Sequence, residues 1–163
     1  MINPPSHRRT EETSDTWITP KVLIERIGPF DLDPCAAVNQ PWPCAATSFN
    51  ELDNGLLQQW RGFVFCNPPY GRKCVAWLER MALHNDGVAL IFARTDTKMF
   101  FKYVWPIASS ILFIKGRVTF HYEDGSAPRR GNNSGGPSAL VGYGGRAAER
   151  LERVKDLGKF IRL

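Results

Sequence analysis

The stretch Phe63-Val64-Phe65-Cys66-Asn67-Pro68-Pro69-Tyr70-Gly71 joins an apolar run to a turn that contains two prolines. The apolar run predicts a buried strand. The two rings fix φ in the turn and remove two backbone donors. Asn67 and Pro68 each precede a proline and are therefore pushed away from helical φ/ψ. The sequence thus predicts a strand that ends in a stiff, acceptor-rich turn.

This turn can present two acceptors and an aromatic ring to one ligand. The amide oxygen of Asn67 and the carbonyl of Pro68 can both accept hydrogen bonds from one NH2 group, and Tyr70 offers a flat face to its ring. The combination suits a planar substrate that carries an amino group. Taken alone, these four residues are equally consistent with a tight proline turn that leads into a helix.

Apolar segments alternate with helical patterns along the chain. The predicted strands are residues 30–35, 63–66 and 88–93, and the predicted helices are residues 20–27, 74–84 and 98–108. Residues 88–93 are continuously apolar, which is typical of a strand covered on both faces in a parallel sheet. The alternation predicts an α/β fold with a mostly parallel sheet.

Local signals refine two of these helices. Thr19-Pro20 predicts a helix start with Thr at the N-cap and Pro in the first turn. The helix over residues 74–84 is predicted to bury a stripe with helical spacing, made of Val75, Leu78, Met81 and Ala82. The stretch from residue 36 to about residue 54, rich in Pro and Asn, is expected to be irregular.

The C-terminal part predicts an antiparallel hairpin and a final helix. Residues 111–114 and 117–120 flank Lys115-Gly116 and are predicted to form one long strand with a bulge at the glycine. Residues 138–143 are the returning strand after a long Gly- and Arg-rich tip. Residues 146–163 are predicted to form a charged helix that buries Leu151, Val154, Leu157 and Ile161.

Composition predicts a globular protein that meets an anionic partner. The 163 residues are 43% hydrophobic, which fits one domain over residues 16–163, and the polar residues 1–15 are expected to form a flexible tail. The net charge of +5 is compatible with a partner such as nucleic acid, although many ordinary enzymes share such a modest excess.

The cysteines and histidines predict no metal site. Cys35, Cys44, Cys66 and Cys74 form no CxxC pair, and the three histidines stand far apart. We expect free thiols in a reducing compartment. No secretory segment and no membrane-spanning apolar stretch is found, so a cytoplasmic protein without membrane contact is expected.

Several segments in order carry a resemblance to a known family. They are Trp17-Ile18-Thr19-Pro20, Phe30-Asp31-Leu32-Asp33-Pro34-Cys35-Ala36, Asn67-Pro68-Pro69-Tyr70-Gly71, residues 114–120 and residues 134–138. Over most of the chain after residue 15, this order resembles phage-type DNA N6-adenine methyltransferases. The resemblance implies an abbreviated Rossmann-like domain, S-adenosylmethionine as methyl donor and DNA as partner, in the host cytoplasm if the protein is phage-encoded.

The resemblance also implies roles for individual residues. Asn67, Pro68, Pro69 and Tyr70 match the motif that binds the substrate amine. For the cofactor, Trp17, Thr19 and Pro20 match the segment in which the start of a helix contacts the methionine part of S-adenosylmethionine. Asp31 or Asp33, with Pro34, matches the acidic residue that follows the first strand. These carboxylates could bind ribose hydroxyls or the α-ammonium group, or form a solvated turn. Asp53 resembles the residue that receives the cofactor's adenine amine, although an Asp-Asn-Gly turn explains it equally well.

The chain departs from the family pattern at the first strand. Cys35-Ala36-Ala37 stands where larger relatives have a Gly-rich loop, so Asp33 aligns with either the first or the second cofactor motif. Only about 30 residues separate the two strand ends, too few for the usual intervening elements. The sheet is therefore expected to be abbreviated.

Five basic residues are candidates for contacts with DNA phosphates and bases: Arg94, Lys98, Arg117, Arg129 and Arg130.

The sequence leaves three other functions open. The same pocket chemistry serves methyltransferases that act on RNA bases or on protein glutamine amides, and cytosine N4 is a further target. A DNA-binding module that has lost its cofactor is the non-enzymatic reading.

Overall fold

The computed structural model describes residues 16–128 and 135–163, so the predicted tail and the tip residues Arg129 and Arg130 lie outside the described residues. The described helices are α1 (Lys21–Ile27), α2 (Cys74–His84), α3 (Lys98–Tyr103) and α4 (Gly145–Arg153). The strands are β1 (Leu32–Asp33), β2 (Thr47–Ser48), β3 (Val64–Cys66), β4 (Gly87–Phe92), β5 (Ser110–Ile114), β6 (Ser138–Tyr143) and β7 (Gly158–Arg162). β2 falls in the stretch that the sequence predicted to be irregular.

The seven strands form one sheet in the order β2-β1-β3-β4-β6-β5-β7. β2, β1, β3 and β4 are parallel neighbours. β6 is antiparallel to both β4 and β5, so β5 runs in the same direction as β4, and β7 is antiparallel to β5. All strands except β6 and β7 therefore end at one edge. The predicted α/β fold with its mostly parallel sheet and C-terminal antiparallel pair is confirmed.

β4 shows why a continuously apolar strand belongs in the middle of this sheet. Val88 and Leu90 pack with α1 and α4 on one face, while Ala89 and Ile91 pack with α2 and α3 on the other. All four are at most 2% exposed. Burying a Val, Leu or Ile side chain contributes about 1.5–3 kcal/mol, so helices on both faces are what stabilise β4.

α2 has the predicted bounds but a partly different buried side. Its buried residues are Cys74, Trp77, Leu78 and Met81, whereas Val75 is 38% exposed. The helix ends at Asn85, which adopts a left-handed conformation and donates its backbone N–H to Met81. The predicted stripe was therefore wrong at Val75, because the buried side of the helix includes Trp77 in its place.

The predicted long strand over residues 111–120 was wrong. β5 stops at Ile114, Gly116 takes a φ of +81°, and residues 117–120 are not in the sheet. Val118 and Phe120 are nevertheless buried among the side chains below α1 and α4. Val118 and Phe120 are two positions apart because both pack against the core. A strand has the same period of two, so the sequence alone does not distinguish this segment from a strand.

Two helices end earlier than predicted. α3 stops at Tyr103 and not near residue 108, since Pro106 disfavours helical φ/ψ for the residue before it. α4 stops at Arg153, and the predicted helical end of the chain instead forms the edge strand β7 beside β5. A Cβ on Gly158 would overlap the Phe113 carbonyl oxygen, so the glycine permits this close approach. Leu151 and Val154 are buried as predicted, but Ile161 is 37% exposed.

Candidate active site

A cavity of about 400 Å³ lies where β1 and β3 end, within the size range of small-molecule sites. Of the residues singled out from the sequence, eight line it: Trp17, Thr19, Asp33, Pro34, Asn67, Pro68, Pro69 and Tyr70. The two strand ends that lie far apart in sequence therefore face one cavity, as the rule for parallel sheets leads one to expect.

The amide of Asn67 is oriented by the segment that precedes α1. Its Nδ2 donates to the Trp17 carbonyl oxygen at 3.1 Å and to Thr19 Oγ1 at 3.2 Å. Because a carbonyl can only accept, the NH2 group must point at Trp17 and the amide oxygen must point the other way. The turn after β3 thus presents a side-chain acceptor whose direction is determined.

Asn67 Oδ1 is buried and has no hydrogen-bond partner among residues 16–128 and 135–163. Leaving a buried acceptor unpaired costs about 1–3 kcal/mol, and native proteins seldom tolerate this without a reason. Asn67 lines the cavity. The unpaired oxygen is therefore an acceptor that a ligand carrying a hydrogen-bond donor would satisfy.

The segment containing Trp17 and Thr19 is itself positioned by hydrogen bonds to residues other than Asn67. Ile18 and His121 exchange two backbone hydrogen bonds of 3.0 and 2.9 Å, and Trp42 Nε1 donates to the Thr19 carbonyl at 3.0 Å. The predicted N-cap role of Thr19 was wrong: Pro20 occupies that position without a side-chain cap. The Thr19 hydroxyl is used instead to orient Asn67.

Asp33 is a buried carboxyl group at the cavity wall. It is 3% exposed, and its Oδ1 accepts from the Cys35 backbone N–H at 3.1 Å. Burial raises its pKa to about 7, an effect that hydrogen bonds from Cys35, Gln40 and Cys44 only partly offset. A ligand that brings a positive charge or hydrogen-bond donors here would favour the ionised form.

Three predicted cofactor residues lie outside the cavity lining. Asp31 Oδ2 accepts from the Phe63 backbone N–H at 2.6 Å, so its carboxylate joins the start of β1 to β3. Asp53 Oδ2 accepts from the Asn50 backbone N–H at 2.9 Å and closes a turn. Pro20 begins α1. Of the two carboxylates that the sequence could not separate, Asp33 is the one that faces the cavity.

Tyr70 belongs to an aromatic group at the rim of the cavity. Its ring stacks on Phe92 with centroids 4.1 Å apart and planes 15° apart, and Phe120 meets it edge-on at 6.3 Å. Burial raises the pKa of the Tyr70 hydroxyl well above its ordinary value, so this group stays neutral. The side chain therefore offers a ring face and no charge.

The described basic candidates do not line the cavity, and they follow β4 and β5 in the chain. Arg94, Lys98 and Arg117 are exposed, and the Arg94 guanidinium lies 5.6 Å from the centre of the Phe92 ring. Lys73, directly after Gly71 and Arg72, does line the cavity. Lys73 was not predicted as a site residue, although the basic pair Arg72-Lys73 next to the proline turn is a signal that could have identified it.

Other lining residues were also missed, chiefly in the stretch expected to be irregular: Gln40, Cys44, Asn50, Glu51, Asn54 and Gly55. The Asn54-Gly55 dipeptide is a turn signal, but nothing local shows that this turn reaches Pro34. A Cβ on Gly55 would overlap the Pro34 carbonyl oxygen. Long-range packing of this kind leaves no periodic pattern in the sequence.

The described residues contain neither a metal-ligand cluster nor a membrane-spanning helix. Across the described part of the chain, no three His, Cys, Asp or Glu side chains group closely enough to hold a metal ion. The four cysteines are free thiols. No helix within residues 16–128 and 135–163 combines the length and apolar character needed to cross a membrane.

The mixed sheet, with its cavity at the shared strand ends, is compatible with a methyltransferase-like fold. Residues 6–141 match the model of the family described as DNA N-6-adenine-methyltransferase (Dam), and the chain belongs to this family. The family activity is methylation of adenine N6 in DNA, and such enzymes generally use S-adenosylmethionine. Searches of curated proteins and of solved structures found no match to the chain.

Proposed function

We propose that this protein transfers the methyl group of S-adenosylmethionine to the N6 amine of a flipped-out or single-stranded adenine, at specific sites in DNA. Residues 16–163 would form the catalytic domain, and the enzyme would act in the cytoplasm, that of the host if it is phage-encoded. The observation that carries the proposal is the buried, unpaired Asn67 Oδ1 beside the cavity.

The proposed chemistry follows from the electronic structure of the target amine. The adenine N6 lone pair is delocalised into the ring, which makes the nitrogen a poor nucleophile. Asn67 Oδ1 and the Pro68 carbonyl would accept its two N–H groups and so localise the lone pair in the direction of attack. Alignment and fixed dipoles supply the acceleration, and no covalent enzyme intermediate is needed.

Tyr70 would hold the plane of the base while Asn67 and Pro68 hold its amine. A base within a duplex cannot reach this cavity, so the target must be extruded from the helix or offered as single strand. Unstacking costs a few kcal/mol, which stacking on an aromatic ring can partly restore.

The cofactor, when bound, supplies a methyl group activated by the positive sulfonium. The cavity has suitable groups for it: Asp33, in the wall, can accept hydrogen bonds from ribose hydroxyls or from the α-ammonium group. Trp17 and Thr19 would border the methionine part. The Asp53 carboxylate is already engaged by Asn50 N–H, so Glu51 and Asn54 are better placed than Asp53 to meet the adenine amine.

DNA would approach on the side of the basic residues. Arg94, Lys98 and Arg117 are exposed around the end of the sheet, and Lys73 lines the cavity beside the proline turn. Together with Arg129 and Arg130, these side chains would contact phosphates and place the target base, since such contacts position the protein on DNA.

The test is identification of the modified base. Purified protein is incubated with S-adenosylmethionine and DNA, and the DNA is digested to nucleosides for mass spectrometry. We expect N6-methyladenine from the parent and none from Asn67→Ala, with cofactor binding to that variant nearly unchanged by calorimetry. Methylated cytosine, equal product from Asn67→Ala, or no heat of cofactor binding to the parent would each overturn the proposal.

A further inference from the structure

We propose that Phe92 is a positioning residue for the substrate base: it supports one face of Tyr70 so that the other face meets the base in a defined plane. The inference rests on the proposed function, because it concerns how the same cavity presents its substrate. Phe92 is absent from the proline motif and is separated from Tyr70 along the chain by α2 and the earlier residues of β4.

The geometry of the ring pair supports this role. The Tyr70 and Phe92 centroids are 4.1 Å apart and their planes differ by 15°, so the rings are stacked nearly parallel. Phe120 meets Tyr70 at 75°, so it adds an edge-to-face contact and no second parallel stack. Tyr70 lines the cavity. Among the described residues, Phe92 is the only ring that stacks parallel on Tyr70, and the proposed base would be the second.

Tyr70 needs support because it lies on a loop. Gly71 follows it with a φ of +81°, and no described atom lies within 4 Å of where a Cβ on Gly71 would be. That side of Gly71 therefore faces open space, and no neighbouring side chain of a described residue packs against it there. A ring in such a place can sample several orientations unless another group holds it, and a substrate-aligning group must be held to within about 0.5 Å.

Phe92, in contrast, lies on a strand that is paired on both sides, with β3 and with β6. It is the last residue of β4, in register with Ser138 of β6, and the next residue, Ala93, donates its N–H to the Pro137 carbonyl at 2.8 Å. Groups on paired strands are placed more accurately than groups on loops. Stacking on Phe92 therefore restricts the orientation of the Tyr70 ring relative to the sheet.

The Phe92 ring is also restricted by its neighbours Gly136 and Arg94. A Cβ on Gly136 would lie 3.3 Å from Phe92 Cδ1, so the backbone of this glycine packs closely against the ring. The Arg94 guanidinium lies 5.6 Å from the ring centre, within the range of a cation–π contact. Arg94, Phe92 and Tyr70 thus form a stacked series, and a bound base would be its fourth member.

The test compares Phe92→Leu, which removes the ring but keeps an apolar side chain, with Phe92→Tyr, which keeps the ring. Phe101→Leu is the matched control, because Phe101 is 65% exposed. Steady-state methylation of DNA gives kcat and KM. A second DNA with 2-aminopurine at the adenine that the parent methylates reports base stacking, since its fluorescence is quenched by an aromatic neighbour.

For Phe92→Leu we expect kcat to fall about threefold to tenfold, the factor that corresponds to loss of one aromatic pair. We also expect weaker quenching of bound 2-aminopurine and unchanged affinity for S-adenosylmethionine by calorimetry. Phe92→Tyr should restore both kcat and quenching, and Phe101→Leu should behave like the parent.

The inference is overturned if the parent makes N6-methyladenine and Phe92→Leu has the same kcat and quenching. It is also overturned if Phe92→Leu loses cofactor affinity and thermal stability in proportion to kcat, since that describes a purely structural residue. Failure of the proposed function is seen separately, in the parent itself, as the absence of N6-methyladenine.

Discussion

Asn67 Nδ2 donates to Thr19 Oγ1 at 3.2 Å and so joins the turn after β3 to the segment before α1, 48 residues away along the chain. Together with the Trp17 carbonyl, the Thr19 hydroxyl determines which end of the amide faces the cavity. The segment assigned by resemblance to the cofactor thus orients the residue assigned to the substrate. Two functions that the sequence presents as separate motifs share one set of hydrogen bonds.

Replacing Thr19 by Val should lower kcat without preventing folding. The substitution removes one of the two acceptors of Asn67 Nδ2, and a single hydrogen bond is worth about 0.5–1.5 kcal/mol, which corresponds to about a twofold to tenfold loss. Thr19→Ser keeps the hydroxyl and should retain activity. Initial rates with saturating cofactor and DNA measure the effect.

The exposed Thr119 supplies the control for this pair, since Thr119→Val makes the same chemical change away from Asn67. Equal rates for Thr19→Val and the parent would show that the Trp17 carbonyl alone orients the amide.

Asp33 should make the stability of the free protein depend on pH. Burial raises its folded pKa to about 7, above the ordinary carboxyl value, so the native state binds more protons than the unfolded chain between these limits. Its contribution is fully present below about pH 4 and is lost as the pH rises through 7. Asp33→Asn, which cannot ionise, should therefore be more stable than the parent at pH 8, by at most about 4 kcal/mol.

Thermal unfolding of both proteins between pH 4.5 and pH 8, without cofactor, measures this difference. The neighbouring Cys35 should not interfere, because burial raises its thiol pKa to about 12. A stability difference that stays constant over the whole range would contradict the assignment of a buried, protonated Asp33.

Gly55→Ala should weaken cofactor binding through Pro34. The added Cβ would overlap the Pro34 carbonyl oxygen, and the backbone beside Asp33 would have to move. Calorimetry should show at least about a fivefold loss of cofactor affinity, since overpacking of this kind typically costs about 1–3 kcal/mol. Gly145→Ala is the control because a Cβ there meets no atom within 4 Å. Parent-like affinity of Gly55→Ala would mean that the turn adapts.

Replacing both Arg129 and Arg130 by Ser should reduce the salt dependence of DNA binding. If each contacts one phosphate, the slope of log K against log salt should fall by about 1.8 for a duplex. Fluorescence anisotropy at several salt concentrations measures the slope. Arg61→Ser is the control, because Arg61 lies near Asp31 and Gly62, at the opposite end of the strands. An unchanged slope would assign DNA contact to the basic C-terminal segment.

The elements whose signal is local could be predicted from the sequence alone. The bounds of α2 and the buried strand β4 follow from apolar residues a few positions apart and from the turn at Asn85. The stiff turn from Asn67 to Tyr70 follows from two prolines. The family resemblance depended on the order of such local segments, and the match over residues 6–141 bears it out.

Long-range contacts determine which residues from those elements meet in the cavity, and the sequence does not show these contacts. Asp31 and Asp33 are equivalent in the sequence, but one binds the Phe63 backbone N–H and the other is buried in the cavity wall. Thr19 fits a helix cap locally, yet its hydroxyl meets Asn67. The chain end fits a helix, yet Gly158 lets it pair with β5. In each case a partner far along the chain decides, and contacts of that kind impose no periodicity that local reading can detect.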